Sequence, residues 1–290
     1  MISPAAAELL IDKSPRLSAK AILPALRRLQ TFPVCGNGLS CGVVFSLNSW
    51  HMVGLILISA LLWMHYVQWK DRHKPEPRWR LFLAFLLGGV ACGLSVLGFM
   101  VLDFFGVPDI EFGRAPWTCF YSLVFIGPIE EGAKLLMALL FIFRWREFDE
   151  PLDGFVYASM LSLGFASVEN FYNVPELPWQ MQLARTAALP LTHLLFSAIW
   201  GLGIGHARFA LPPSPRRTCW QIGSVVLAML AHGFYDFLIL AYQATLLTSG
   251  LALLLWGFVI WRTRVLAKQA QATANLSVPT RSPSPSDQEF

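Results

Sequence analysis

The chain has 290 residues, of which 22 are basic and 18 acidic, so charged side chains make up 14% of it, against about 25% in a soluble globular protein. Apolar and aromatic residues reach 55%, with 22 Phe and 11 Trp, and the mean hydropathy is +0.53. This composition excludes a disordered chain, a secreted disulfide scaffold and an ordinary soluble enzyme. A formal charge of +4, spread over loops, speaks against a nucleic-acid partner, which calls for clustered Lys and Arg.

Residues 1–39 form an N-terminal extension with one amphipathic stretch, AKAILPALRRLQ, suited to lying on a membrane surface. Scattered basic residues from Lys13 to Arg28, with no apolar stretch of the usual form before them, do not make a cleavable signal. A bilayer core needs about 20 apolar residues per helix. Seven stretches meet that length or approach it: 42–66, 80–105, 117–143, 153–174, 186–207, 219–241 and 246–262. The expected fold is therefore an all-α, polytopic membrane helix bundle over residues 40–264. From 265 to 290 the chain is rich in Ser, Pro and Gln and reads as a disordered tail. Cys35 and Cys41 are close enough to pair in an oxidising compartment; Cys92, Cys119 and Cys219 fall in or beside apolar stretches.

Loop charges orient the spans. KDRHKPEPRWR after the first span holds five Lys and Arg, Arg144 and Arg146 follow the third, Arg208, Arg216 and Arg217 follow the fifth, and Arg262, Arg264 and Lys268 follow the seventh. The loop after the second span is mostly acidic, and that after the fourth has only Arg185. This alternation puts the C-terminus inside. Seven spans would then leave the N-terminus outside, against its own five basic residues, so its side stays open.

Ionisable groups inside spans are costly and mark bundle interiors or cavities. The third span contains IGPIEEGAKLL, which buries Glu130, Glu131 and Lys134 just after Gly127 and Pro128. Proline lacks an N–H and clashes one turn back, so a bend is expected there. Lys134 follows Glu130 by one helical turn, and a Glu130–Lys134 ion pair is expected. A purely neutralising salt bridge would leave Glu131 unexplained. The fourth span ends in GFASVENFYNV, with Phe165, Glu169 and Asn170; the fifth holds His193 with Ser197 a turn later; the sixth holds His232 and Asp236 in HGFYD. A lone intramembrane histidine is commonly a packing residue, and neighbours such as His193 and Ser197 on one face arise readily without chemistry. Glycines 201, 203 and 205 suit close helix contact, and Phe165 suits packing.

Measured from the outer ends of their spans, Glu130 lies about 20 Å deep, His193 and His232 about 10 to 14 Å, and Glu169 about 8 Å. With a bend at Pro128 the groups can meet in a cavity open to the outer face. Such a cluster suits hydrolysis of a peptide bond. Zinc takes imidazole and carboxylate ligands, three from protein plus water at a catalytic site, which His193, His232 and a glutamate supply. Another glutamate would act as general base, and Asn170, Asp236 or Lys134 would orient ligands or the substrate carbonyl. A metal-free mechanism using Glu130 or Glu131 with a histidine is equally open on these grounds, and there is no HExxH.

At these residues the chain resembles the PrsW family of intramembrane proteases, relatives of the CAAX-processing and bacteriocin-immunity (CPBP, Abi) membrane proteases. Glu130, Glu131 and Lys134 match its EExxK motif; Phe165, Glu169 and Asn170 match the second motif; His193 and His232, the latter with Asp236, match the histidine motifs. Lys70, Asp71, Glu76 and Pro77, and the EPLDG with Glu150, Asp153 and Gly154, match two further phrases. The resemblance implies a zinc peptidase of the bacterial inner membrane, with metal ligands His193, His232 and Glu169 and catalytic Glu130, Glu131, Lys134, Asn170 and Asp236. It also implies a membrane-anchored protein substrate cut near the outer face, an anti-sigma factor in the founding member. An ion or solute transporter using the same groups, and an inactive scaffold of the same fold, are the alternatives.

Overall fold

The computed structural model describes residues 49–110, 115–174, 177 and 179–277. The extension at 1–39, the Cys35–Cys41 pair and the end of the tail lie outside the described residues. The elements are α1 (Ser49–Lys70), α2 (Arg78–Phe104), α3 (Ala115–Tyr121), a π-helical turn (Ser122–Ile126), α4 (Gly127–Leu140), α5 (Asp153–Asn173), α6 (Trp179–Ala210), α7 (Pro215–Tyr242) and α8 (Thr245–Ser277). Counting 115–140 as one continuous segment, the described chain is all-α with seven helical segments. The last of them continues past residue 265, where the sequence suggests a disordered tail.

Five of the segments, α1, α2, α6, α7 and α8, are long and apolar enough to cross a membrane, and the chain is an integral membrane protein. The other two fall short for identifiable reasons. The 115–140 segment carries Glu130, Glu131 and Lys134 and is interrupted by the widened turn. α5 is the centre of the bundle, with every residue from Leu152 to Ala166 buried. Contacts from α1, α2 and α6 surround it, so it can hold Ser159 and Ser162 where a lipid-facing helix would hold leucine. The lipid-type surface falls instead on Leu57, Leu61, Phe82, Leu86 and Val90 of α1 and α2, and on Ile222, Val226 and Leu230 of α7, all exposed.

Boundaries follow local chemistry. α7 begins behind Ser214, whose hydroxyl accepts the Arg217 N–H at 3.4 Å, with Pro215 at its first turn. It stops at Gln243, whose φ of 50° is left-handed. α5 and α6 approach until backbones touch: a Cβ added at Gly154 would lie 2.1 Å from the Gly201 carbonyl oxygen, and one at Gly201 2.3 Å from that of Gly154. Gly203 and Gly205 are equally confined, against Ser224 and Pro151, as their spacing suggests.

The loops sort to two ends. Lys74 bonds Asp149, the Tyr157 hydroxyl donates to Glu76, and Arg80 pairs with Glu147 at 3.1 Å. Segments 71–77 and 141–152 therefore share one end. Burial there, with the Glu76 and Glu150 carboxylates alongside, pushes the Asp71 carboxyl up to about 7. Residues Asp109, Leu177 and Thr245, from the other connections, gather at the opposite end around the mouth of a cavity.

Candidate active site

Pro128 sits in the first turn of α4. Its ring cannot accept the carbonyl of the residue one turn back in a regular α-helix, and the π-helical turn at Ser122–Ile126 opens the backbone just there. α7 fits against this place without side chains between the backbones. A Cβ on Gly127 would lie 2.1 Å from the Met229 carbonyl oxygen, and one on Gly233 2.3 Å from that of Ser122. The contact sets His232 beside the glutamate pair.

The two glutamates then diverge. Glu131 is fully buried and its four acceptor positions are used. Oε1 accepts from Lys134 Nζ at 2.7 Å and faces His232 Nδ1 at 3.0 Å, while Oε2 accepts from Ser197 Oγ at 2.7 Å and Trp200 Nε1 at 2.9 Å. Lys134 also reaches His193 Nδ1 at 2.8 Å and lies over the Phe165 ring, 4.1 Å from its centroid. The expected Glu130–Lys134 pair is thus replaced by Glu131–Lys134 at i,i+3, because Glu131 points into the helix interface and Glu130 into the cavity.

Glu130 has a different environment. Its Oε2 lies 3.7 Å from His232 Nε2 and 4.0 Å from His193 Nδ1, too far for hydrogen bonds, and has no partner among the described residues. His193 Nε2 is 2.9 Å from Glu169 Oε2, but the N–H direction misses it and that oxygen too is unpartnered. Asp236 Oδ2 stands 3.5 Å from His232 Nε2. The rings are held by Phe196 stacked on His232 at 4.7 Å and Phe165 against His193 at 5.2 Å. These groups form the floor of a cavity of about 450 Å³ that also contains Arg185 and apolar walls such as Val96, Phe99, Leu189 and Ile239.

Donor atoms of Glu130, His193 and His232 lie within 4.8 Å of one another. Two imidazoles and a carboxylate are a zinc-type donor set, and the 3.7 Å between Glu130 Oε2 and His232 Nε2 approaches the roughly 3.4 Å between ligands around one tetrahedral zinc; His193 would use Nε2, because its Nδ1 is bonded to Lys134. Two buried carboxylate oxygens left without donors point the same way. The residues present fit a divalent metal.

The profile of the PrsW family of intramembrane metalloproteases matches residues 76–263. The chain belongs to that family. It is 32% identical over 213 residues to Protease PrsW of Geobacillus kaustophilus, covering 73% of this chain and 88% of the relative. It is 30% identical to the Clostridioides difficile protein of that name over 70% of this chain and 85% of the relative. With the Bacillus subtilis one it shares 31% over 61% and 78% respectively. No solved structure matches the chain significantly. Family membership and the buried Glu/His cluster make it a metalloprotease-type enzyme.

Of the residues expected at a PrsW site, Glu130, Glu169, His193, His232 and Asp236 line the cavity, with Glu131 and Lys134 immediately behind. Asn170 does not join them. It is fully buried, outside the cavity lining, with neither amide atom bonded among the described residues. The carboxylate of the compact triad is Glu130, whereas Glu169, expected as ligand, is tied through Oε1 to Arg185 at 2.7 Å. Sequence reasoning missed Trp200, Ser197 as a Glu131 partner, and Arg185. Trp200 follows His193 by seven residues, two turns along one face of α6, and Arg185 precedes it by eight; this helical spacing was the available signal.

Proposed function

We propose that this protein is an endopeptidase that cuts membrane-anchored proteins near the outer face of a bacterial inner membrane. All seven helical segments would cross, with the C-terminus inside and the cavity mouth at Asp109, Leu177 and Thr245 facing out. The observation that carries the reading is Glu130 Oε2, unpartnered and facing both histidines at the floor of a cavity. Apolar walls suit an unwound stretch of a substrate's membrane segment, and a single-pass anti-sigma factor is the first substrate to test.

His193, His232 and Glu130 would hold a zinc ion, which supplies Lewis acidity and lowers the pKa of water. The chain's own groups do the rest. Glu169 presents Oε2 to the cavity while Arg185 anchors its other oxygen, so it is placed to take a proton from the attacking water and pass it to the leaving amine as the C–N bond breaks. Glu131 fixes the His232 ring by holding Nδ1, a carboxylate–histidine support, and Asp236, 3.5 Å from His232 Nε2 on the cavity side, would accept from the water or substrate amide beside that ring. Lys134 neutralises Glu131 and steadies His193.

The test uses purified full-length protein and a membrane-anchored substrate. His232→Ala and Glu169→Gln are each expected to lower cleavage at least about 100-fold, with bound zinc lost in the first and kept in the second. Undiminished cleavage by His232→Ala would overturn the reading. Ion flux in liposomes without cleavage would favour a transporter.

A further inference from the structure

A second group of oxygen donors lies at the end of the bundle opposite the cavity mouth. We propose that Asp71, Glu150 and Asp153 form a binding site for a hard divalent cation, of the Mg²⁺, Ca²⁺ or Mn²⁺ class, that clamps the α1–α2 loop to the start of α5. Donor atoms of the three residues lie within 4.8 Å of one another. Asp71 and Asp153 are 2% and 0% exposed, unlike the surface carboxylates that commonly cluster without a ligand.

Each of the two aspartates is held by one oxygen and leaves the other over. Asp71 Oδ2 accepts the Glu76 N–H at 2.9 Å, and Asp153 Oδ2 accepts the N–H groups of Asp149 and Glu150, both at 2.7 Å. Backbone amides thus fix both carboxylates in place. The remaining Oδ1 of each is buried and no donor among the described residues reaches it. A buried acceptor without a donor costs about 1–3 kcal/mol, and more when charged, so an oxygen held this way calls for a cation or a proton. The nearby base does not fill that role, because Lys74 bonds Asp149 and both side chains are about half exposed (55% and 51%) on the rim. Glu76, alongside, accepts the Tyr157 hydroxyl through Oε2 and lies within hydrogen-bonding reach of Asp153.

The donors are all carboxylate oxygens, with no imidazole or thiolate. This selects hard cations over zinc and separates the site chemically from the Glu130–His193–His232 triad. Half-buried Glu150 leaves a side open for the waters such ions retain. Asp153 is the first residue of α5 and Glu169 lies sixteen residues further along the same helix, about 24 Å away. The cation would therefore seat the helix that carries Glu169 without touching the reacting groups.

Terbium luminescence tests this, since Tb³⁺ replaces hard cations and Tyr157, with the Trp145 ring 5.2 Å from it, is a built-in sensitiser. Full-length, chelator-stripped protein is titrated with Tb³⁺ under tyrosine and tryptophan excitation, then with Ca²⁺, Mg²⁺ and Mn²⁺ in separate arms. Saturable emission, displaced by at least one of these ions, is expected. Asp153→Asn and the rim variant Glu150→Gln are each expected to weaken binding at least about tenfold, while His193→Ala with His232→Ala leaves it in place. If Asp153→Asn does not fold, Glu150→Gln decides. No saturable emission, emission indifferent to Glu150→Gln, or emission lost only with the histidines would overturn the proposal. Protons would then be what occupies the cluster.

Discussion

Glu130 and Glu131 share a peptide bond and have opposite surroundings, which gives them separable mutant phenotypes. Glu131 accepts from four side-chain groups at once, and removing its charge leaves the Lys134 ammonium buried and uncompensated. Glu131→Gln is expected to destabilise the protein by about 3–5 kcal/mol and to lower activity through a misplaced His232. Glu130 Oε2 has no bond to lose, and the group stands among other carboxylates. Glu130→Gln is expected to leave the melting temperature unchanged or raise it, while abolishing metal uptake and cleavage. Thermal unfolding together with metal analysis of the two variants distinguishes these outcomes. Equal loss of stability in both would contradict the division of roles.

At the scale of elements, the site depends on a backbone defect and a backbone contact. The π-helical turn at Ser122–Ile126 accommodates Pro128, and Gly127 and Gly233 let α4 and α7 meet with no intervening side chain. Gly233→Ala would push a Cβ into the Ser122 carbonyl, 2.3 Å away, and backbone cannot yield cheaply. A loss of about 1–3 kcal/mol is expected, with a matching drop in activity because His232 is the preceding residue. Gly223→Ala on the same helix meets nothing within 4 Å and should be neutral or stabilising by up to about 1 kcal/mol. Paired thermal melts of the two variants check this. α5 illustrates another element-level effect: surrounded by protein, it keeps Ser159 and Ser162 fully buried and carries Glu169, whereas α2, exposed along Phe82, Leu86 and Val90, has no glutamate.

The whole molecule has two chemically distinct ends, and this makes its orientation testable. The end with segments 71–77 and 141–152 carries most loop arginines and lysines together with the oxygen cluster, whereas the other end holds the cavity mouth. By the positive-inside rule the basic end is expected to face the cytoplasm. In a cysteine-depleted background, Ala244→Cys should react with a membrane-impermeant maleimide on intact cells, and Pro213→Cys only after permeabilisation. The reverse labelling would invert the proposed orientation and place cleavage at the inner face.

Much of this was legible along the chain. Long apolar stretches announced seven helical segments, since a bilayer imposes a length that composition records directly. Rare ionisable residues inside those stretches marked the site, because each is too costly to keep at depth without a use. Spacing could not say which of two adjacent side chains turns into a helix interface and which into a cavity. It pairs Lys134 with Glu130, whereas packing against α6 and α7 turns Glu131 to the lysine and leaves Glu130 in the compact cluster with the two histidines. Nor could it foresee that Trp200, Ser197 and Arg185 would complete the cluster, or that Asn170 would stay out of it. The sequence by itself determined an all-α membrane protein and the set of groups able to do chemistry. Only the tertiary structure decided which carboxylate oxygens are satisfied and which remain open, because that depends on how closely helices far apart in sequence can approach.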